Sequence, residues 1–217
     1  MKKIKKCCDL IEESNESLAS GKWFAAASSL QSVLALFRVA DSPLLKEDTV
    51  KILPAIKKEV ASQKNKLTLK LKEKWNESVS VKINDNVKNK KKTLNLSLKN
   101  GHERPFVDEI GDLIQALHAT DSLENITHSF LQHIKNDFLP AIIFNSIELD
   151  VNHGLFTISL ENGDGPRSSP VMVLNSLKLF ISFLATNFNV PVGKEKGTFL
   201  EKIGSLLSPW FTHTVIQ

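Results

Sequence analysis

Three histidines, His118, His128 and His133, fall within one stretch of helical periodicity, and imidazoles grouped in this way are the first candidates for a metal site. The steps between them are ten and five residues. At about 100° per residue this turns the side chains about 80° and 140° apart, so they do not converge on one ion from a single helix. Asp108, Glu109 and Asp112 form a carboxylate cluster of the kind an acid–base enzyme uses. Its position at the start of the same helical stretch is accounted for by the helix dipole, which favours acidic side chains in the first turn. His153 stands in a turn between two strand patterns and needs no chemical role there.

The motifs that bind phosphate or activate a nucleophile are also missing. "SGKW" at residues 20–23 lacks the upstream glycine and the following hydroxyl of a phosphate loop. "GDGPRS" at residues 163–168 has two glycines of a dinucleotide fingerprint, without the third or the strand–helix unit around it. There is no serine elbow, Cys-His signature or His-Glu-x-x-His. The expectation is a protein that is not an enzyme, with no catalytic, cofactor-binding or metal-binding residues and no cofactor; its interaction residues are unknown from the sequence.

The 217 residues are long enough to bury a core. A formal net charge of +4 is unevenly placed. Residues 46–104 hold 16 basic against 7 acidic side chains, and residues 105–217 hold 6 against 12. The basic part is dominated by lysine, without the aromatic–arginine alternation suited to stacking on bases. Cys7 and Cys8 are adjacent, which is poor disulfide geometry and no zinc pattern, and this points to a reducing compartment. Lysines follow Met1 but no apolar core of a signal peptide comes after them, so secretion is not expected and the Asn-x-Ser/Thr triplets at Asn15, Asn76, Asn95 and Asn125 are composition. The most apolar run, 171–188, is interrupted by Asn175, Lys178, Ser182 and Asn187, too polar for an isolated membrane span.

The elements that would position any site follow from periodicity. Ile4, Cys7, Cys8, Ile11 and Leu18 recur at helical spacing until Gly21, and Trp23, Ala27, Leu30, Leu34 and Phe37 resume it. These are two helices of an antiparallel hairpin over residues 1–42, in which alanines allow close approach and Trp23 and Phe24 anchor the second helix. A middle domain, 43–217, follows. Ser42 and Pro43 open a third helix, which Leu53, Ile56, Val60, Leu67, Leu71 and Trp75 continue, with Pro54 a kink or late start. The period then changes to two. Val79, Val81 and Ile83 alternate, as do Leu94, Leu96 and Leu98, giving strands at about 78–84 and 93–99 joined by a polar loop bearing Lys88, Lys90, Lys91 and Lys92.

One continuous helix is expected from Phe106 to Phe138, ending at Pro140, a rod of roughly 50 Å. Ile147, Leu149 and Val151, a turn at Asn152-His153-Gly154, and Phe156, Ile158 and Leu160 make a second hairpin, strands 146–152 and 155–161. Two isolated ribbons would be marginal in water, so the four strands are expected in one antiparallel sheet. Ser168 or Ser169 caps a further helix with Pro170 in its first turn, bearing Val171, Leu174, Leu177, Phe180, Ile181, Leu184 and Phe188; it is apolar around more than half its girth and must be covered. A last helical pattern, Phe199, Ile203, Leu206 and Leu207, then Trp210, Phe211 and Val215, is cut by the chain end, which reads as a domain boundary. The fold class is mainly α with a small antiparallel β insert, an elongated helical bundle.

In this order, "LKEKWNESVSVKI", "LIQALHATDSLENITHSFLQHIKNDFLPAII", "SIELDVNHGLFTISLE" and "FLEKIGSLLSPWFTHTVI" resemble the central region of the zeste-white 10 family of centromere and kinetochore proteins. "ESLASGKWFAAASSLQSVLALF" is similar to the segment that precedes them there, so the resemblance runs from about Leu10 to Ile216. It implies a helical bundle of the multisubunit-tethering type and a fragment of a longer protein, lacking the family's coiled-coil start and C-terminal helical half. It implies a non-enzymatic scaffold that joins Rod and Zwilch on unattached kinetochores for spindle-checkpoint signalling and dynein–dynactin recruitment in mitosis. In interphase it implies a cytoplasmic tether, peripheral at the endoplasmic reticulum with syntaxin-type SNAREs, for Golgi-to-ER vesicles. No binding residues carry over, and the lysine-rich tip has no counterpart. The alternatives are a basic nucleic-acid-binding module, a hydrolase built on the carboxylates, and a tetratricopeptide-like helical adaptor; the last lacks a second copy at constant period.

Overall fold

A computed structural model describes residues 2–38, 47–86, 91–99, 105–161, 169–193, 197–205 and 208. The elements are α1 (Lys2–Ala19), α2 (Trp23–Arg38), α3 (Glu47–Ser78), β1 (Val79–Asn86), β2 (Lys91–Leu98), α4 (Phe106–Ala119), α5 (Leu123–His133), a π-helical turn (Ile134–Phe138), α6 (Leu139–Phe144), β3 (Ile147–Asn152), β4 (Leu155–Glu161) and α7 (Pro170–Phe188). The chain is mainly helical with one four-stranded antiparallel sheet. It divides into two units, Met1–Lys74 with Asp112–Glu124, and Trp75–Gly111 with Asn125–Gln217. The expected hairpin, residues 1–42, lies in the first unit, and the expected middle domain, 43–217, is shared between the two.

In the first unit α1 and α2 form the expected helical hairpin. Gly21 holds φ +70 at its bend, a conformation that costs glycine nothing and side-chain-bearing residues a good deal. Cys7, Ala26, Ala27, Leu30 and Val33 are buried. The small residues permit the approach seen in the buried bond from Ser14 Oγ to the Ala26 carbonyl, 2.9 Å. Phe24 departs from its expected anchoring role: it is 37% exposed. Val60, Leu67 and Leu71 of α3 and Leu113, Ile114 and Leu117 of α4 are buried as well. The cap expected at Ser42 and Pro43 lies outside the described residues, and α3 runs through Pro54.

The expected single rod from Phe106 to Phe138 is broken. Residues 120–122 separate α4 from α5, and Asp121 takes φ +57. The Ser122 N–H returns to the Leu117 carbonyl at 2.9 Å and the Asp121 N–H to the His118 carbonyl at 3.0 Å, a closure that satisfies the last carbonyls of α4. Thr120 Oγ1 donates to the Ala116 carbonyl and lies 2.6 Å from Ser122 Oγ, so the buried hydroxyls of the break are bonded. The helix also fails to stop at Pro140. The π-helical turn widens the ladder just before the proline, which then occupies the first turn of α6, where its missing N–H leaves no intrahelical bond unmade.

In the second unit the sheet order is β1-β2-β4-β3. The expected apolar alternations fall in register: Val81 pairs Leu96, Leu96 pairs Phe156 and Phe156 pairs Val151; one row further on, Ile83, Leu94, Ile158 and Leu149 pair in turn. One face is therefore apolar and the other carries residues such as Lys82, Asn95, Thr157 and Asp150. The first hairpin is longer than expected, because Asp85 pairs Lys92 and Asn86 pairs Lys91; Lys88 and Lys90 lie outside the described residues. Helix α7, capped by Ser169 Oγ at 3.3 Å from the Met172 N, lays Phe180 and Phe183 on Phe156, with ring centroids 4.9 and 5.4 Å apart. Phe138 stacks on Phe180 at 5.6 Å. Trp75 sits edge-on to Phe130 and Phe199, a core residue as its helical spacing implies. The last helical pattern begins as expected, with 199–205 helical behind a reciprocal Thr198–Glu201 capping box. Leu206, Leu207, Trp210, Phe211 and Val215 lie outside the described residues.

Candidate docking surface

The residues with chemical potential are dispersed by the fold. His118 ends α4, whereas His128 and His133 lie on α5, so the three do not share a helix. His133 Nδ1 pairs with Asp137 Oδ2 at 2.8 Å across the π-helical turn. Among the described residues no group of three or more His, Cys, Asp or Glu lies together as a metal site would require. The carboxylate cluster is divided as well: Asp108 and Glu109 occupy the first turn of α4, as the dipole argument expects. Asp112 points elsewhere, accepting the Trp23 N–H at 3.0 Å and the Phe24 N–H at 3.3 Å, and so closes the start of α2. Cys7 is buried beside exposed Cys8; burial first, and the neighbouring thiol second, raise its pKa, so it is a poor nucleophile.

What the fold does assemble is an apolar surface. Helix α7 buries Phe180, Phe183, Leu184 and Phe188 and leaves its opposite side open. Val171 and Leu174 are each 66% exposed, and Met172, Leu179 and Ile181 are exposed beside them. Exposed large apolar side chains grouped on one helix mark contact surfaces more than they mark noise. The sequence requirement that this helix be covered is thus met on one side only among the described residues. The reason is geometric: a helix apolar around most of its girth presents more surface than a single sheet face and its flanking rings can hide. Phe183 and Leu179 lie outside the apolar stripe read from the sequence. The phenylalanines at 180, 183 and 188, about one turn or a little more apart, were the available signal for the buried side.

A groove of about 770 Å³ opens beside the exposed side. Leu98, Phe106, Leu179 and Phe183 supply apolar walls, and Val151 and the His153–Gly154 turn form one rim. Gly154 fixes that rim. It holds φ +74, its carbonyl accepts the Leu98 N–H at 2.6 Å, and a Cβ placed on it would meet the Leu98 carbonyl oxygen at 2.6 Å. His153, expected to need no role in its turn, stands at the groove's edge.

Among the described residues α7 is also the one helix long and apolar enough to cross a bilayer, with a mean hydropathy of 1.5. Its exposed side interleaves Asn175, Lys178 and Ser182 with the apolar residues. A protein partner can satisfy such polar groups, and hydrocarbon cannot. No protein-family model matches this chain, and no curated protein matches its sequence.

Proposed function

We propose that this chain is a non-enzymatic scaffold segment that holds other polypeptides, and that the open side of α7 with its adjoining groove is the surface through which it does so. The observation that carries the reading is the two-sidedness of α7, four side chains buried against its own unit and five large apolar ones exposed. A fold that merely needed a core helix would place polar residues on that outer side. Docking onto such a surface is broad and apolar, which accords with a sequence that offers no short catalytic motif.

The resemblance to the zeste-white 10 family supplies the cellular form of this proposal. The scaffold joins Rod- and Zwilch-type subunits at kinetochores during mitosis and a syntaxin-SNARE tether at the endoplasmic reticulum in interphase. Affinity capture with the tagged protein from dividing and from resting cells tests it. Kinetochore subunits are expected from the first and secretory-pathway tether subunits from the second. Recovery of neither overturns the kinetochore and tethering assignment.

A further inference from the structure

We propose that the outer edge of β3 accepts an extended segment of another polypeptide in which apolar residues alternate with lysine or arginine; this deepens the scaffold reading and rests on it. Among the described residues strand β3 ends the sheet order, so its pairing with β4 uses only one of its two edges. The two-residue turn at His153 and Gly154 makes Asn152–Leu155 the closing, hydrogen-bonded pair of the hairpin. Alternation along the ladder then makes Leu149–Ile158 and Val151–Phe156 the non-bonded pairs, which turns the N–H and C=O groups of Leu149 and Val151 outward. Open backbone groups of this kind template a further strand.

The two faces of β3 set the chemistry of that strand. Leu149 and Val151 share the face on which α7 packs, and Val151 lines the groove, so alternate residues of an added strand enter the groove and meet apolar walls. The opposite face carries Asp150, to whose Oδ1 Asn152 Nδ2 donates at 2.9 Å, holding that carboxylate in place. Strand β3 contains no basic residue. In the same cross-strand row as Asp150, the first base is Lys82 on β1, three strands or about 14 Å away, beyond a Debye length at physiological salt. Among the described residues the edge is therefore acidic on one side and apolar on the other. Two copies paired through β3 would set carboxylate against carboxylate, which disfavours self-association there and selects a basic partner.

The test titrates the purified 217-residue chain with a blocked nine-residue peptide alternating valine and lysine, read by calorimetry and by amide hydrogen exchange. Binding is expected, with new protection at the Leu149 and Val151 amides. A peptide alternating valine and glutamate, and one with the same valines and lysines in two blocks, are expected to bind at least about tenfold more weakly. Val151→Pro removes an outward donor and leaves the β3–β4 ladder whole; Asp150→Lys reverses the charge. Each is expected to weaken binding by about tenfold or more, with thermal unfolding showing that both variants fold. Absence of binding, equal binding of the block peptide, or protection elsewhere than β3 overturns the proposal. Persistence of partner capture that Leu174 and Ile181 of α7 govern, alongside such a failure, would sink the strand proposal alone.

Discussion

Asp112 and Trp23, 89 positions apart in sequence, are joined by a carboxylate–amide bond of 3.0 Å in which α4 supplies the cap that α2 lacks. Replacing Asp112 with alanine orphans the first N–H groups of α2 and is expected to lower stability by about 1–2 kcal/mol. Asp112→Asn, which keeps an acceptor and loses the charge, should lose about half as much. Urea unfolding of the two variants measures the difference. A hydrolase built on Asp108 and Asp112 would instead show full stability and lost turnover.

Gly154 and Gly21 separate strain from collision. Both hold positive φ, but a Cβ at Gly21 meets nothing within 4 Å, whereas one at Gly154 meets the Leu98 carbonyl at 2.6 Å. Gly21→Ala should cost about 1 kcal/mol from the left-handed backbone alone. Gly154→Ala should cost roughly 2–4 kcal/mol, because the turn must also move off β2. Thermal melts of the pair give the comparison.

The aromatic core of the second unit depends on Phe156, fully buried between the sheet and α7. Phe156→Ala is expected to lose about 3–5 kcal/mol and unfold this unit first. Leu174→Ala, on the open side, should change stability by less than about 0.5 kcal/mol. Hydrogen exchange across β1–β4 reads both.

Much of this fold is legible in the chain because the signals are local. Val79 to Ile83 and Leu94 to Leu98 alternate over a few residues, and the pairing of four such runs follows from the need to bury one common face. The break at 120–122 is written more faintly. At 100° per residue Phe106, Ile110, Leu113 and Leu117 center on one direction, and Leu123 to Phe138 center on another about 110° away, a phase jump that a single helix does not make. The capping box at Thr198 and Glu201 also stands in the sequence as T-x-x-E. The docking surface was legible only in part. Composition marks α7 as apolar on most sides, but which side the sheet covers is decided by Phe156 and Phe138, contributed from other elements. Asp112 as a cap is likewise a tertiary fact that no local spacing encodes.

The adjacent thiols should react unequally. Cys7 is buried with its pKa raised by desolvation and by Cys8, so its thiol holds its proton and is shielded from reagents, whereas Cys8 is exposed. Alkylation at mildly alkaline pH should label Cys8 first, and Cys7 only with unfolding. The raised value also has a stability consequence: the folded state holds the Cys7 proton more tightly, so this contribution is full at neutral pH and is lost as pH rises through the alkaline range. Peptide mapping after timed labelling separates the two sites.

The open side of α7 is the proposed surface for other polypeptides. Its most direct measurement is partner capture by the Leu174→Asp, Ile181→Asp double variant, run beside a thermal melt. A melt within a few degrees of the parent protein and loss of the captured subunits is the result expected. A variant that melts normally and retains every partner would contradict it.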